Sequence, residues 1–160
     1  MGTQAKYYQL KESKVQNALS QLSNDEDFYN TIKNPEYILN SIDIDTSWNS
    51  LPEVIAKATS NIELSRLAIF GTKIETQFNS ESEIQYICKE DVERINELLK
   101  SLNIVSRDEF ILVYNESQDV PYDKNQYEDM FNFYWTHFNA FLEFYSECSI
   151  SKSSILVHIG

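Results

Sequence analysis

The closing octet SSILVHIG, residues 153–160, constrains the fold more tightly than any other stretch. Ile155, Val157 and Ile159 alternate with Leu156 and His158, so an extended chain carries apolar side chains on both faces. Such a strand belongs near the middle of a sheet, covered above and below. The opening AKYYQL is short and ring-rich and suits a strand with Tyr8 and Leu10 on one face. It is the natural partner for the closing strand, and their pairing brings the chain ends together.

Most of the rest reads as helix. S-K-V-Q from Ser13 is a capping box, with Val15, Ala18, Leu19 and Leu22 as the buried stripe behind it. SNDEDF opens a second helix with Asp25 to Asp27 at its positive end. Asn34-Pro35 marks a break, and EYILNSI is expected as a short third helix. SLPEVIAKAT follows, with Ser50 as N-cap and Pro52 in the first turn. LSRLAIFG is expected to close at Gly71 in the left-handed region.

IQYIC alternates like a short strand. KEDVERINELLKSLN is the clearest helix, with Val92, Ile95, Leu99 and Leu102 inward and Glu90 spaced to pair with Arg94. Periodicity leaves FILVY undecided between strand and helix, and DVPYD reads as a turn. From Asp123 to about Glu147 a long helix places Tyr127, Phe131, Tyr134, Phe138, Phe141 and Tyr145 on one face. No repeat or linker interrupts the pattern. The expectation is one domain over residues 1–160, of α+β class, with helices packed on a small sheet that includes the N-terminal and C-terminal strands.

Charge narrows the functions open to it. The chain carries 25 acidic against 13 basic residues, for a net charge of −12. Residues 1–80 hold 10 acids and 7 bases, whereas residues 81–160 hold 15 and 6. A surface of that sign repels nucleic acid and anionic membranes, which disfavours both as partners. A basic protein partner and simple solubility both stay open. MGTQAKYYQLKESK lacks an apolar targeting segment, and no apolar run spans a bilayer. Two widely separated cysteines, Cys88 and Cys148, fit free thiols in a reducing cytoplasm.

Specific chemistries are excluded by missing residues. Gly71 is the one interior glycine, so neither phosphate-cradling glycine motif is present. Two histidines, His137 and His158, without H-E-x-x-H or C-x-x-C argue against a zinc site, and no cofactor is implied. Both histidines read as hydrogen-bonded structural residues. Cys88 stands at a helix start, but Glu90 and Asp91 beside it oppose a thiolate.

One stretch resists that reading. DIDTSWNSL, residues 43–51, sets Asp43 and Asp45 about Ile44, just before Trp48. In an extended chain the two carboxylates share a side, where they would bind a cation or share a proton. The structural alternative spends Asp45, Thr46 and Ser47 on nearby backbone N–H groups while Ile44 and Trp48 pack inward.

The same stretch carries a family resemblance, together with MGTQAKYYQLKESKV, IQYICKEDVERINELL and YWTHFNAFLEFYSECSISKSSILVHIG. In these pieces the chain resembles the YfbM-like family of bacterial proteins, a domain of unknown function. The family's acid–aliphatic–acid element followed by tryptophan falls on Asp43, Ile44, Asp45 and Trp48. The likeness is weakest between Thr59 and Glu83. It implies a compact α+β domain in the cytoplasm and supplies no reaction. Where the family has a Leu-His pair after the tryptophan, this chain has Leu51-Pro52, and Cys88 replaces a serine. Two functional readings follow. One is a non-enzymatic binding domain that docks or neutralises a basic protein through its acidic second half. The other is a small enzyme or ligand-binding domain using Asp43, Asp45 and Trp48, with Tyr8 lining a pocket.

Overall fold

The computed structural model describes residues 3–74, 83–117 and 128–160. Strand β1 (Ala5–Leu10) leads into helices α1 (Val15–Gln21) and α2 (Asp25–Ile32), and strand β2 (Ile38–Asp45) follows. Helices α3 (Leu51–Thr59) and α4 (Ile62–Phe70) precede strands β3 (Thr72–Lys73) and β4 (Glu83–Ile87). Helices α5 (Lys89–Lys100), α6 (Arg107–Glu116) and α7 (Glu128–Ile150) lead to strand β5 (Ser154–Ile159). The strands form one antiparallel sheet in the order β2-β1-β5-β4-β3, with β5 at its centre. Gln4 and Gly160 exchange backbone hydrogen bonds of 3.1 and 3.0 Å, joining the chain ends. This is the α+β architecture that the two-faced closing strand requires.

The faces of the sheet are unequal. Ala5, Tyr7, Ile155 and Val157 meet buried side chains from α3 to α7 in the larger core. Tyr8, Leu10, Ile84 and Leu156 meet α1 and α2 through Val15, Ala18 and Phe28 in the smaller one. In α7 the expected stripe is buried at Tyr134, Phe138, Phe141 and Tyr145, and continues through Cys148. Tyr127 and the DVPYD turn lie outside the described residues.

Four local expectations are corrected. EYILNSI is not a helix: from Ile38 the chain forms β2, because pairing along β1 outweighs a weak helical pattern. Ser13 does not cap α1, since a 3-10 turn over Glu12–Lys14 comes first and α1 has no side-chain cap. Arg94 pairs with Asp91, one turn position nearer than Glu90, at 2.9 Å. Gly71 has φ +61° and ψ −158°, a positive-φ conformation outside the left-handed helical region. A Cβ there would sit 3.0 Å from the Tyr86 carbonyl oxygen, so glycine is required by both backbone and space.

FILVY lies within α6, where Ser106 Oγ accepts from Glu109 N at 3.2 Å and Glu109 Oε2 accepts from Val105 N at 2.8 Å. That exchange is close to a capping box, written in the sequence as S-R-D-E, with Glu109 reaching the amide before the N-cap and not that of Ser106 itself.

The main core is tied by two buried phenols. Tyr7 OH donates to the Ile69 carbonyl at 2.8 Å, and Tyr145 OH donates to the Ala68 carbonyl at 2.6 Å. Both acceptors belong to the last turn of α4, whose carbonyls lack helical partners. Tyr145→Phe would strand a buried carbonyl and is expected to cost about 1–3 kcal/mol. A urea-unfolding midpoint unchanged from the parent protein would refute that role.

Candidate functional site

The Asp43–Trp48 segment sits where β2, at the sheet edge, turns into a 3-10 helix over Thr46–Asn49. Register decides the aspartates' orientation. Asp43 lies opposite Lys6 and Asp45 opposite Ala5, with a bulge between. Adjacent residues of β1 point to opposite faces, and so do their partners. The two carboxylates therefore do not share a side, contrary to the extended-chain expectation. Asp45 itself has φ 48° and ψ −135°, which swings the chain out of the sheet and into the turn.

Asp43 is spent on its own surroundings. Its Oδ1 accepts from Asp45 N at 2.7 Å, and its Oδ2 lies 3.5 Å from Lys6 Nζ. Asn40 repeats the device, with Oδ1 accepting from Ser41 N at 2.9 Å. An edge strand presents unpaired amides that invite another chain. Here two short side chains fold back on them, and register shifts lie toward both ends of the β1–β2 pairing.

Trp48 and Tyr8 face different cores. Trp48 Nε1 donates to the Thr3 carbonyl at 2.8 Å, and its ring meets Phe70 edge-on at 6.1 Å, on the larger core. Tyr8 is 9% exposed in the smaller core, edge-on to Phe28 at 5.9 Å. Burial, then Asp43 and Tyr29, hold its phenol above the usual range. The four candidate residues therefore do not converge on one opening. Among the hollows lined by described residues are one of about 430 Å3 between α1 and the β3–β4 edge, one of about 360 Å3 beside α2, and one of about 280 Å3 between α5 and the end of α7. None of these three is lined by Asp43, Asp45, Trp48 or Tyr8.

A contact missed by sequence reasoning joins the segment to α7. Ser47 Oγ and His137 Nδ1 share a hydrogen bond of 2.7 Å, across 90 positions of sequence. A serine against an imidazole resembles a nucleophile and its base. Ser47, however, is fully buried, so no substrate reaches it, and the pair serves as a tie between turn and helix. The expectation that His137 is hydrogen-bonded holds. Nothing in the spacing of Ser47 and His137 announces the contact.

Burial lowers the pKa of His137, opposed by Asp45 and then Asp43. Burial, then Lys6, lowers His158, opposed by Asp25. His158 also packs against Phe28, with ring centroids 4.9 Å apart. Burial raises the Cys88 thiol and pushes Cys148 up to about 12, so neither is poised as a thiolate. Among the described residues no group of three or more His, Cys, Asp or Glu is placed to hold a metal ion. No helix of the described residues is long and apolar enough to cross a membrane.

Two outcomes are expected. Asp43→Ala should destabilise the fold by about 1 kcal/mol through the uncapped amide, while Asp45→Gly, easing a positive φ, should leave it unchanged or more stable. Equal losses in the two variants by urea denaturation would count against this division of roles. For the histidines, a folded pKa below the ordinary 6.5 means the unfolded chain binds protons first as pH falls. Their contribution is present above that value and lost below it, through the depressed folded values. The fall in unfolding midpoint between pH 7.5 and pH 5, values chosen to span the ordinary histidine range of about 6.5, should be smaller in a His137→Gln/His158→Gln variant.

Comparison with known proteins bears on the fold and the family. The family model described as "Domain of unknown function (DUF1877)" matches residues 1–158. The crystal structure of YfbM from Escherichia coli, a protein of unknown function, superposes with a TM-score of 0.64 at 14% identity. That match covers 98% of this chain and 99% of the other, and at such identity it speaks for the fold alone. No curated protein matches.

Proposed function

This chain belongs to the DUF1877 family, as its YfbM-like motifs indicated, and we propose that it is a non-enzymatic binding domain that docks a basic protein through its acidic second half. The observation that carries this reading is the outward array of carboxylates on the helices after β4. Glu90, Glu93 and Glu97 lie exposed along α5, and Asp108 and Glu116 lie exposed on α6. Lys100 and Arg94 answer only part of that charge, pairing with Glu97 and Asp91.

Exposed like charges at this density lend little to stability, but they speed and orient the approach of an oppositely charged surface. The small-ligand reading is less favoured, because Asp43 is engaged with the backbone and Trp48 and Tyr8 face opposite cores.

The test is a pull-down at low and high salt, with a Glu90→Lys/Glu93→Lys/Glu97→Lys variant beside the parent protein. A basic protein held at low salt and released at high salt is expected, with retention reduced about tenfold or more by the variant. Failure to retain any basic protein at low salt, or equal retention by the variant, would overturn the reading.

A further inference from the structure

Away from the acidic second half, α2 carries polar residues at a spacing that helices ordinarily reserve for their buried stripe. Asp27, Asn30 and Thr31 on α2, with Asn34 just past its end, recur at intervals of three, one and three and line the hollow of about 360 Å3 beside α2. Gln21, closing α1, and Tyr37, just before β2, complete its wall. The volume falls at the lower end of the range for small-molecule sites, about 300–1,000 Å3.

Several groups in this wall are already engaged. Tyr37 OH donates to Gln21 Oε1 at 3.3 Å, and Asn34 Oδ1 accepts from Glu36 N at 2.9 Å. Asp27 Oδ2 accepts from the Ser23 amide at 3.2 Å and from the Ser23 hydroxyl, and Thr31 Oγ1 donates to the Asp27 carbonyl at 2.8 Å. Those contacts orient the side chains and leave others open. The NH2 groups of Gln21, Asn30 and Asn34 have no partner among the described residues, nor do Asp27 Oδ1 and Asn30 Oδ1.

We propose that this hollow binds a small neutral polyol of monosaccharide size. Three amide donors interleaved with amide and carboxylate acceptors match hydroxyls, each of which donates and accepts. Tyr37 offers an apolar ring for the C–H face of such a ligand. No cation lines the hollow to hold an anion, and one carboxylate is too few for a metal ion.

The test is a titration of the full 15N-labelled chain with D-glucose, D-galactose and myo-inositol, followed through the side-chain amide signals of Gln21, Asn30 and Asn34. Saturable shifts are expected with at least one of the three, at a Kd of about 1–10 mM, the range for a solvated site. Asn30→Ala and Gln21→Ala, both at exposed positions, should each weaken binding about fivefold. The remaining backbone signals report whether each variant is folded. Absence of shifts with all three polyols up to about 50 mM, far above that Kd range, or shifts that survive both substitutions, would overturn the proposal.

Discussion

Two phenol hydroxyls reaching one helix end hold the larger half of this molecule together. Tyr7 comes from the sheet, Tyr145 from α7, and both finish on carbonyls in the last turn of α4. A helix terminus buried without such donors would leave polar groups unsatisfied, at a cost comparable to a lost hydrogen bond each. Because the donors belong to different layers, satisfying α4 also fixes the distance between sheet and helices. The rings contribute as well: Tyr7 meets Phe141 edge-on at 5.6 Å, and Phe141 meets Tyr145 at 4.9 Å. The abundance of tyrosine thus has a structural use that phenylalanine could not fill.

The same economy governs the segment that looked most like chemistry. Asp43, Asn40 and Ser47 each spend a polar group on the protein itself, two on edge amides and one on His137. Ser47 is enclosed, and the bulge in β2 sends the two aspartates apart. The carboxylates of the later helices are exposed, and the polar hollow beside α2 is set apart from them.

Much of this was legible from side-chain order. Alternation in Ile155–Ile159 located the sheet centre, and the aromatic spacing of Tyr134 to Tyr145 located the core helix. EYILNSI misled because its isoleucines suit either period, and only the presence of β1 alongside settles it. The helical state of FILVY was encoded upstream, in Ser106 and Glu109, and not in the apolar residues themselves. A turn before Trp48 that bonds its own backbone was readable, although Asp43 makes that bond where Asp45, Thr46 and Ser47 were expected to. The orientation of Asp45 was not, since a bulge depends on the partner strand. Long-range ties such as Ser47 to His137 leave no trace in spacing.

The central place of β5 has a bearing on how the protein is made. Synthesis delivers the strand that joins β1 to β4 after both of them, so their facing edges have no native partner until it arrives. Native pairing of β1 then closes a loop of nearly the whole chain, which slows folding relative to local hairpins. Until that moment Tyr7 and Tyr8 stand on an unfinished ribbon. Chaperone demand during translation should concentrate there.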